Sequence, residues 1–128
     1  METVMFLDTH VVIWLYAGEV ERFPRRARQR LETEPLLISP SVLLEVQYLH
    51  ELSRVSQGPA LIVKELEKRL GLSVQTDDFE RIVVAALGES WTRDSFDRMI
   101  VAHAHLTSAP LLTKDKSIRQ QYARAVWD

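Results

Sequence analysis

At 128 residues the chain is long enough to bury one core and too short to divide, so it is expected to form a single domain over residues 1–128. Hydrophobic residues make up 46% and charged residues 27%, which excludes a disordered or fibrous chain, and the absence of cysteine excludes disulfides and thiolate metal sites. The formal net charge of −2 is not that of a general nucleic-acid binder.

In chain order, Thr3–Leu7 is a short apolar run closed by Asp8 and predicts a buried strand. The following HVVIWLYA is almost wholly apolar and predicts a core helix ending near Gly18. Pro24 suits the first turn of a second helix through Leu31. The segment around it, ERFPRRARQR, carries five arginines in ten residues, either a local phosphate-binding patch or a solvated helix face. Leu36–Ile38 predicts a second strand, and Ser39-Pro40 supplies a cap and an N1 proline for a third helix to about Leu52. On that helix Val42, Glu45, Val46 and Leu49 share one stripe.

Gly58-Pro59 breaks the pattern before an amphipathic helix in ALIVKELEKRL, stopped at Gly71. Leu72–Gln75 is strand-like. Asp77 with Glu80 has capping-box spacing and predicts a helix with Phe79, Ile82, Val83, Ala86 and Leu87 on one face. Further helices are expected from Phe96 to about Leu106 and over Lys116–Tyr122, with strands at Pro110–Thr113 and Ala125–Trp127. Short apolar strands alternating with helices predict a parallel sheet covered on both faces, a three-layer α/β/α domain. No apolar run nears the roughly 20 residues of a membrane span, and METVMFLDTH places acids where a signal peptide carries its basic region. The expected location is the cytoplasm.

The acids fall at informative places. Asp8 and Asp115 each follow a predicted strand, and ligands of open α/β sheets gather beyond the carboxyl ends of strands. Asp94 and Asp97 open a helix whose Val101 and Ala104 continue the Asp97 face inward. Glu45 lies on an apolar stripe, where an unpaired carboxylate is costly. Each acid also has a structural reading: caps for Asp8, Asp94 and Asp115, capping-box spacing for Asp97, and an ion pair with a buried arginine for Glu45. Gathered in one pocket, they would repel one another unless a cation neutralised them. An all-oxygen donor set suits a hard ion such as Mg²⁺ or Mn²⁺, which can activate water and stabilise charge on a phosphodiester.

The segments FLDTHVVIW, ISPSVLLEV, RDSFDRMIVAHA and LLTKDKSIRQQY together resemble the PIN-domain family, and within it the VapC-like toxins of toxin–antitoxin pairs. They occur in the family's order and span the chain from end to end. The resemblance implies a Mg²⁺- or Mn²⁺-dependent endoribonuclease that cleaves RNA, is inhibited by a cognate antitoxin protein, and is commonly a homodimer. It assigns the catalytic, metal-binding acids to Asp8, Glu45, Asp97 and Asp115, with Asp94 as an extra ligand or orienting group and Thr113 as a polar neighbour of the site. Ser95 stands where related sequences often have proline. His10, His50, His103 and His105 are read as structural or solvent-facing. Arg93 and Arg98 could meet phosphates or pair with the acids. Trp14 and Tyr16 are read as core or dimer contacts, and Trp91, in GESWTRD near the acids, as either stacking on a base or packing, with packing favoured. The rival readings are a phosphoacceptor receiver domain using Asp77, and a PIN-like binding module without activity.

Overall fold

The computed structural model describes residues 4–128. Thr3, expected to begin the first strand, lies outside the described residues. Five short strands form one parallel sheet: β1 (Met5–Leu7), β2 (Leu36–Ile38), β3 (Ser73–Val74), β4 (Leu111–Leu112) and β5 (Ala125–Val126). Their order across the sheet is β3-β2-β1-β4-β5. Parallel neighbours need long connections, and helices supply them: α1 (Thr9–Ala17), α2 (Arg25–Thr33), α3 (Pro40–Glu51), α4 (Pro59–Leu70), α5 (Phe79–Leu87), α6 (Ser95–Thr107) and α7 (Lys116–Gln121). The result is the three-layer α/β/α arrangement expected from the sequence.

Burial follows composition. Met5, Phe6, Leu7, Leu111 and Leu112 are fully enclosed, as strands covered on both faces must be. Helices start and stop where local chemistry directs. Ser39 caps α3 with Pro40 at its first position, while α1 and α4 end on Gly18 and Gly71 at φ 75° and 70°, the left-handed conformation glycine adopts without a Cβ penalty. Ser95 opens α6 at the first helical position, where a proline would also fit, so its departure from the family pattern leaves the helix start intact.

Two expectations about α5 are corrected. Its cap is Asp78, whose carboxylate accepts from the Glu80 N–H; Asp77 instead accepts from His103 Nε2 at 2.8 Å. The sequence DD offers the capping role to either residue, and the tertiary contact decides it. Ile82 and Ala86 are buried, but Phe79 and Leu87 are 70% and 68% exposed, because the helix buries only a narrow stripe against α6. His103 itself is fully enclosed against the Phe6 ring, and among the described residues its Nδ1 has no hydrogen-bond partner. Replacing Asp77 would strand the second ring nitrogen as well. Asp77→Ala is expected to destabilise the fold by about 1 kcal/mol, at the low end for an unpaired buried polar group because water can reach the place Asp77 leaves. The urea midpoint checks this, and an unchanged midpoint would mean the pair contributes nothing.

Candidate metal centre

The strand order reverses between β1 and β4, since β2 and β3 extend the sheet on one side and β5 on the other. In an open parallel sheet that reversal leaves a crevice beyond the carboxyl ends of the two strands. Asp8 directly follows β1 and Asp115 lies just beyond β4, so the crevice is flanked by acids. Asp8, Glu45, Asp94, Asp97 and Asp115 all line one cleft of about 520 Å³, with His10, Val11, Trp14, Lys114 and Lys116. The gathering that the sequence only suggested is thus present.

The structural roles foreseen for the acids are also filled, and the two sets of roles coexist. Asp8 caps α1 by accepting from the Thr9 N–H at 2.8 Å. Asp94 caps α6 through the Phe96 and Asp97 N–H groups, and Asp115 caps α7 through the Ile118 N–H. Each cap spends one carboxylate oxygen in the contacts shown for Asp94 and Asp115. Asp8 is held on both oxygens: the buried Thr113 hydroxyl donates to its Oδ2 at 2.6 Å. The same Thr113 oxygen accepts from the Asp115 N–H at 3.0 Å, so one hydroxyl ties the two strand-end acids together.

Among the described residues Glu45 pairs with no arginine, contrary to one expectation. The Thr9 hydroxyl donates to its Oε1 at 2.5 Å, linking α3 to the first turn of α1. Arg93 and Arg98 also turn away from the acids; they donate to the backbone carbonyls of Ser90 and Thr92 and brace the loop before α6. Trp91 donates to Glu89 and packs against the core. Thr9, His10, Lys114 and Lys116 were not singled out from the sequence as site residues, though three of them adjoin Asp8 or Asp115 directly and the fourth, His10, lies two positions from Asp8.

Electrostatics express the crowding. Burial, then the negative charges of Asp94, Asp8, Asp115 and Glu45, push Asp97 up to about 7. Burial likewise raises Asp8 and Glu45, against hydrogen bonds from Thr113 and Thr9 that favour their ionised forms. A cation would relieve all three. Among the described residues no three of the acids enclose an ion by themselves. The donor set is all oxygen, and it fits.

Thr113→Val tests how the acids are held. It removes the donor to a buried Asp8 oxygen and the acceptor for the Asp115 N–H. The expected loss is about 1–3 kcal/mol of stability and about 10–100-fold in divalent-ion affinity. Chemical denaturation and Mn²⁺ titration measure the two effects; wild-type ion affinity would mean Thr113 only fills space.

Residues 5–123 match the PIN domain family. The chain is 31% identical over 121 residues to "Ribonuclease VapC22" of Mycobacterium tuberculosis, covering 91% of each protein. Two solved structures share the fold: VapBC2 from Rickettsia felis bound to a DNA fragment from their promoter, at 16% identity, TM-score 0.67 and coverage of 98% of this chain and 100% of that one, and VapBC-1 from nontypeable Haemophilus influenzae, at 19% identity, TM-score 0.67 and coverage of 98% and 97%. A family match over nearly the whole chain shows that it belongs to the PIN-domain family, with a VapC ribonuclease among its relatives. The receiver reading fails on placement: Asp77 follows the edge strand β3, does not line the acidic cleft, and is bonded to His103.

Proposed function

We propose that the protein is a divalent-metal-dependent endoribonuclease, the cytoplasmic toxin of a toxin–antitoxin pair that restrains translation or growth by cutting RNA. The observation that carries the reading is the set of five carboxylates lining one cleft at the sheet's reversal point. Likeness to a named VapC ribonuclease supports the reaction class. Asp8, Glu45, Asp97 and Asp115 are the residues that would hold Mg²⁺, with Mn²⁺ as substitute, and Asp94 would complete or orient the set. When bound, such an ion lowers the pKa of water and offsets the charge that builds on a phosphodiester.

The chain's own residues prepare that cleft. Thr113 and Thr9 fix the carboxylates of Asp8 and Glu45, so the donors are oriented before an ion arrives. Asp97, near neutrality without an ion, gives up its proton when positive charge enters beside it. Buried apolar walls from β1 and β4 limit the water behind the acids.

For partners, the relatives solved as VapBC assemblies support a cognate antitoxin. A second groove lined by Leu15, Val20, Phe23, Leu31 and Leu70 beside Arg28 and Arg69 suits an apolar antitoxin segment. Exposed Phe79, Val84 and Leu87 support a homodimer. No helix is long and apolar enough to cross a membrane. The reading is tested by incubating antitoxin-free protein with total cellular RNA in Mg²⁺, Mn²⁺ or EDTA. Discrete fragments that need the metal are expected; intact RNA with a folded, Mn²⁺-binding-incompetent sample would leave a binding module as the better reading.

A further inference from the structure

The segment Glu21–Arg30 holds five of the chain's 16 Lys and Arg residues and lines no part of the acidic cleft. Two of its arginines are used locally. Arg22 pairs with Glu19 at 3.2 Å and covers the Trp14 ring, and Arg30 pairs with Glu34 at 2.5 Å. Arg25, Arg26 and Arg28 are exposed, and among the described residues none of the three has an acid within ion-pair distance. They take the first, second and fourth positions of α2, where no acid stands in the first turn and Pro24 brings no side-chain cap. Cations at the start of a helix oppose its dipole, so the stability of α2 does not account for them. Helical spacing puts Arg25 opposite the buried Ala27–Leu31 stripe, with Arg26 and Arg28 to either side, so the three make one broad basic face. That face begins close to the cleft. Phe23, two residues before Arg25, packs on Trp127 at 5.6 Å and on Trp14 at 6.2 Å, and Trp14 lines the cleft.

We propose that the exposed arginines of α2 form a second RNA-binding surface, in which Arg25, Arg26 and Arg28 hold backbone phosphates of the substrate away from the segment being cut. The proposal rests on the nuclease reading and adds to it where the RNA is gripped. Five carboxylates line the cleft and the chain as a whole carries −2, so a polyanion draws little affinity from the cleft itself. Arginine suits the task, because its planar fork of donors matches a phosphate and it keeps its charge at any working pH. Arg28 also borders the apolar groove that holds Arg69, so a protein segment seated in that groove would take one arginine from the RNA.

The test is binding of a fluorescein-labelled RNA hairpin by anisotropy across a salt series, in EDTA so that no cleavage intervenes. Arg25→Gln/Arg26→Gln/Arg28→Gln is expected to weaken binding about tenfold or more and to reduce the slope of log K against log salt by about 2. Arg54→Gln/Lys64→Gln/Lys68→Gln, which removes the same charge elsewhere, should leave the slope as in wild type. Arg25→Lys/Arg26→Lys/Arg28→Lys should keep most of the slope, and the glutamine variant should melt no lower than wild type, since it relieves the helix dipole. In Mg²⁺ the glutamine variant should raise KM for RNA about tenfold at unchanged kcat. An unaltered salt slope in that variant, or an equal loss in the charge-matched control, would overturn the proposal. If the unaltered slope came with lost binding of labelled poly-glutamate, the face would belong to an acidic protein segment instead. A protein that cleaves RNA with Mg²⁺ yet shows the unaltered slope keeps the nuclease reading and loses this one. A protein that binds RNA through the three arginines and cleaves nothing does the reverse.

Discussion

Asp8→Asn is expected to lower the rate of RNA cleavage by about two to four orders of magnitude while the chain remains folded. Asp8 is the one acid of the set that is buried, and both of its oxygens are already fixed by Thr9 and Thr113. Loss of its charge removes a donor whose ion would be worth several kcal/mol at the transition state, and each 1.36 kcal/mol is about tenfold in rate. Folding tolerates the change for a definite reason. Asparagine caps a helix about as well as aspartate, and the Thr113 hydroxyl can turn to accept from the new amide. Gel-resolved RNA cleavage measures the first effect and thermal melting the second. Cleavage within tenfold of wild type would remove Asp8 from the catalytic set.

Asp97→Asn should do the opposite to stability. In the unfolded chain this carboxyl has its ordinary value of 3.8, whereas burial and four neighbouring acids push it up to about 7 in the fold. Between those values the folded state holds the proton more tightly than the unfolded one, so stability falls as pH rises through the window and stays reduced above it. Asparagine carries no charge at any pH and removes that loss. Three units would correspond to about 4 kcal/mol; partial exposure reduces the expectation to about 1–2 kcal/mol, or roughly 4–8 °C in Tm at pH 8 for the metal-free protein. At pH 4 the two proteins should melt together. Adding Mg²⁺ should stabilise the wild type in proportion to ion binding and leave the variant nearly unmoved. A variant that melts lower than wild type at pH 8 would show that the acids do not crowd one another.

All five strands are present, and most of them were legible as apolar runs bounded by a turn or an acid, the half-polar β3 being the exception. Their order was not. That β1 sits between β2 and β4 depends on pairings such as Leu7 with Leu112, which no local pattern encodes. The acids could be named from their positions at strand and helix ends, yet an N-cap and a metal ligand look alike in sequence, and here Asp8, Asp94 and Asp115 are seen as caps while lining the cleft. Thr9 escaped notice because its partner, Glu45, is 36 residues away. Asp77 was misread because it and Asp78 offer the same side chain to the same helix, and only His103, 26 residues on, separates them. Phe79 and Leu87 followed helical spacing but not burial, since α5 covers α6 with a stripe narrower than its apolar face. Lys114 and Lys116 carry no sequence signal at all beyond standing beside Asp115.

Mn²⁺ titration followed by electron paramagnetic resonance tests the central claim most directly. Metal-free wild-type protein should quench the free-ion signal as it takes up Mn²⁺, Mg²⁺ should restore that signal by competition, and Asp8→Asn should abolish the uptake. A folded wild-type protein that leaves the free Mn²⁺ signal unchanged, or an Asp8→Asn variant that binds as wild type does, would contradict a divalent-ion site in the acidic cleft.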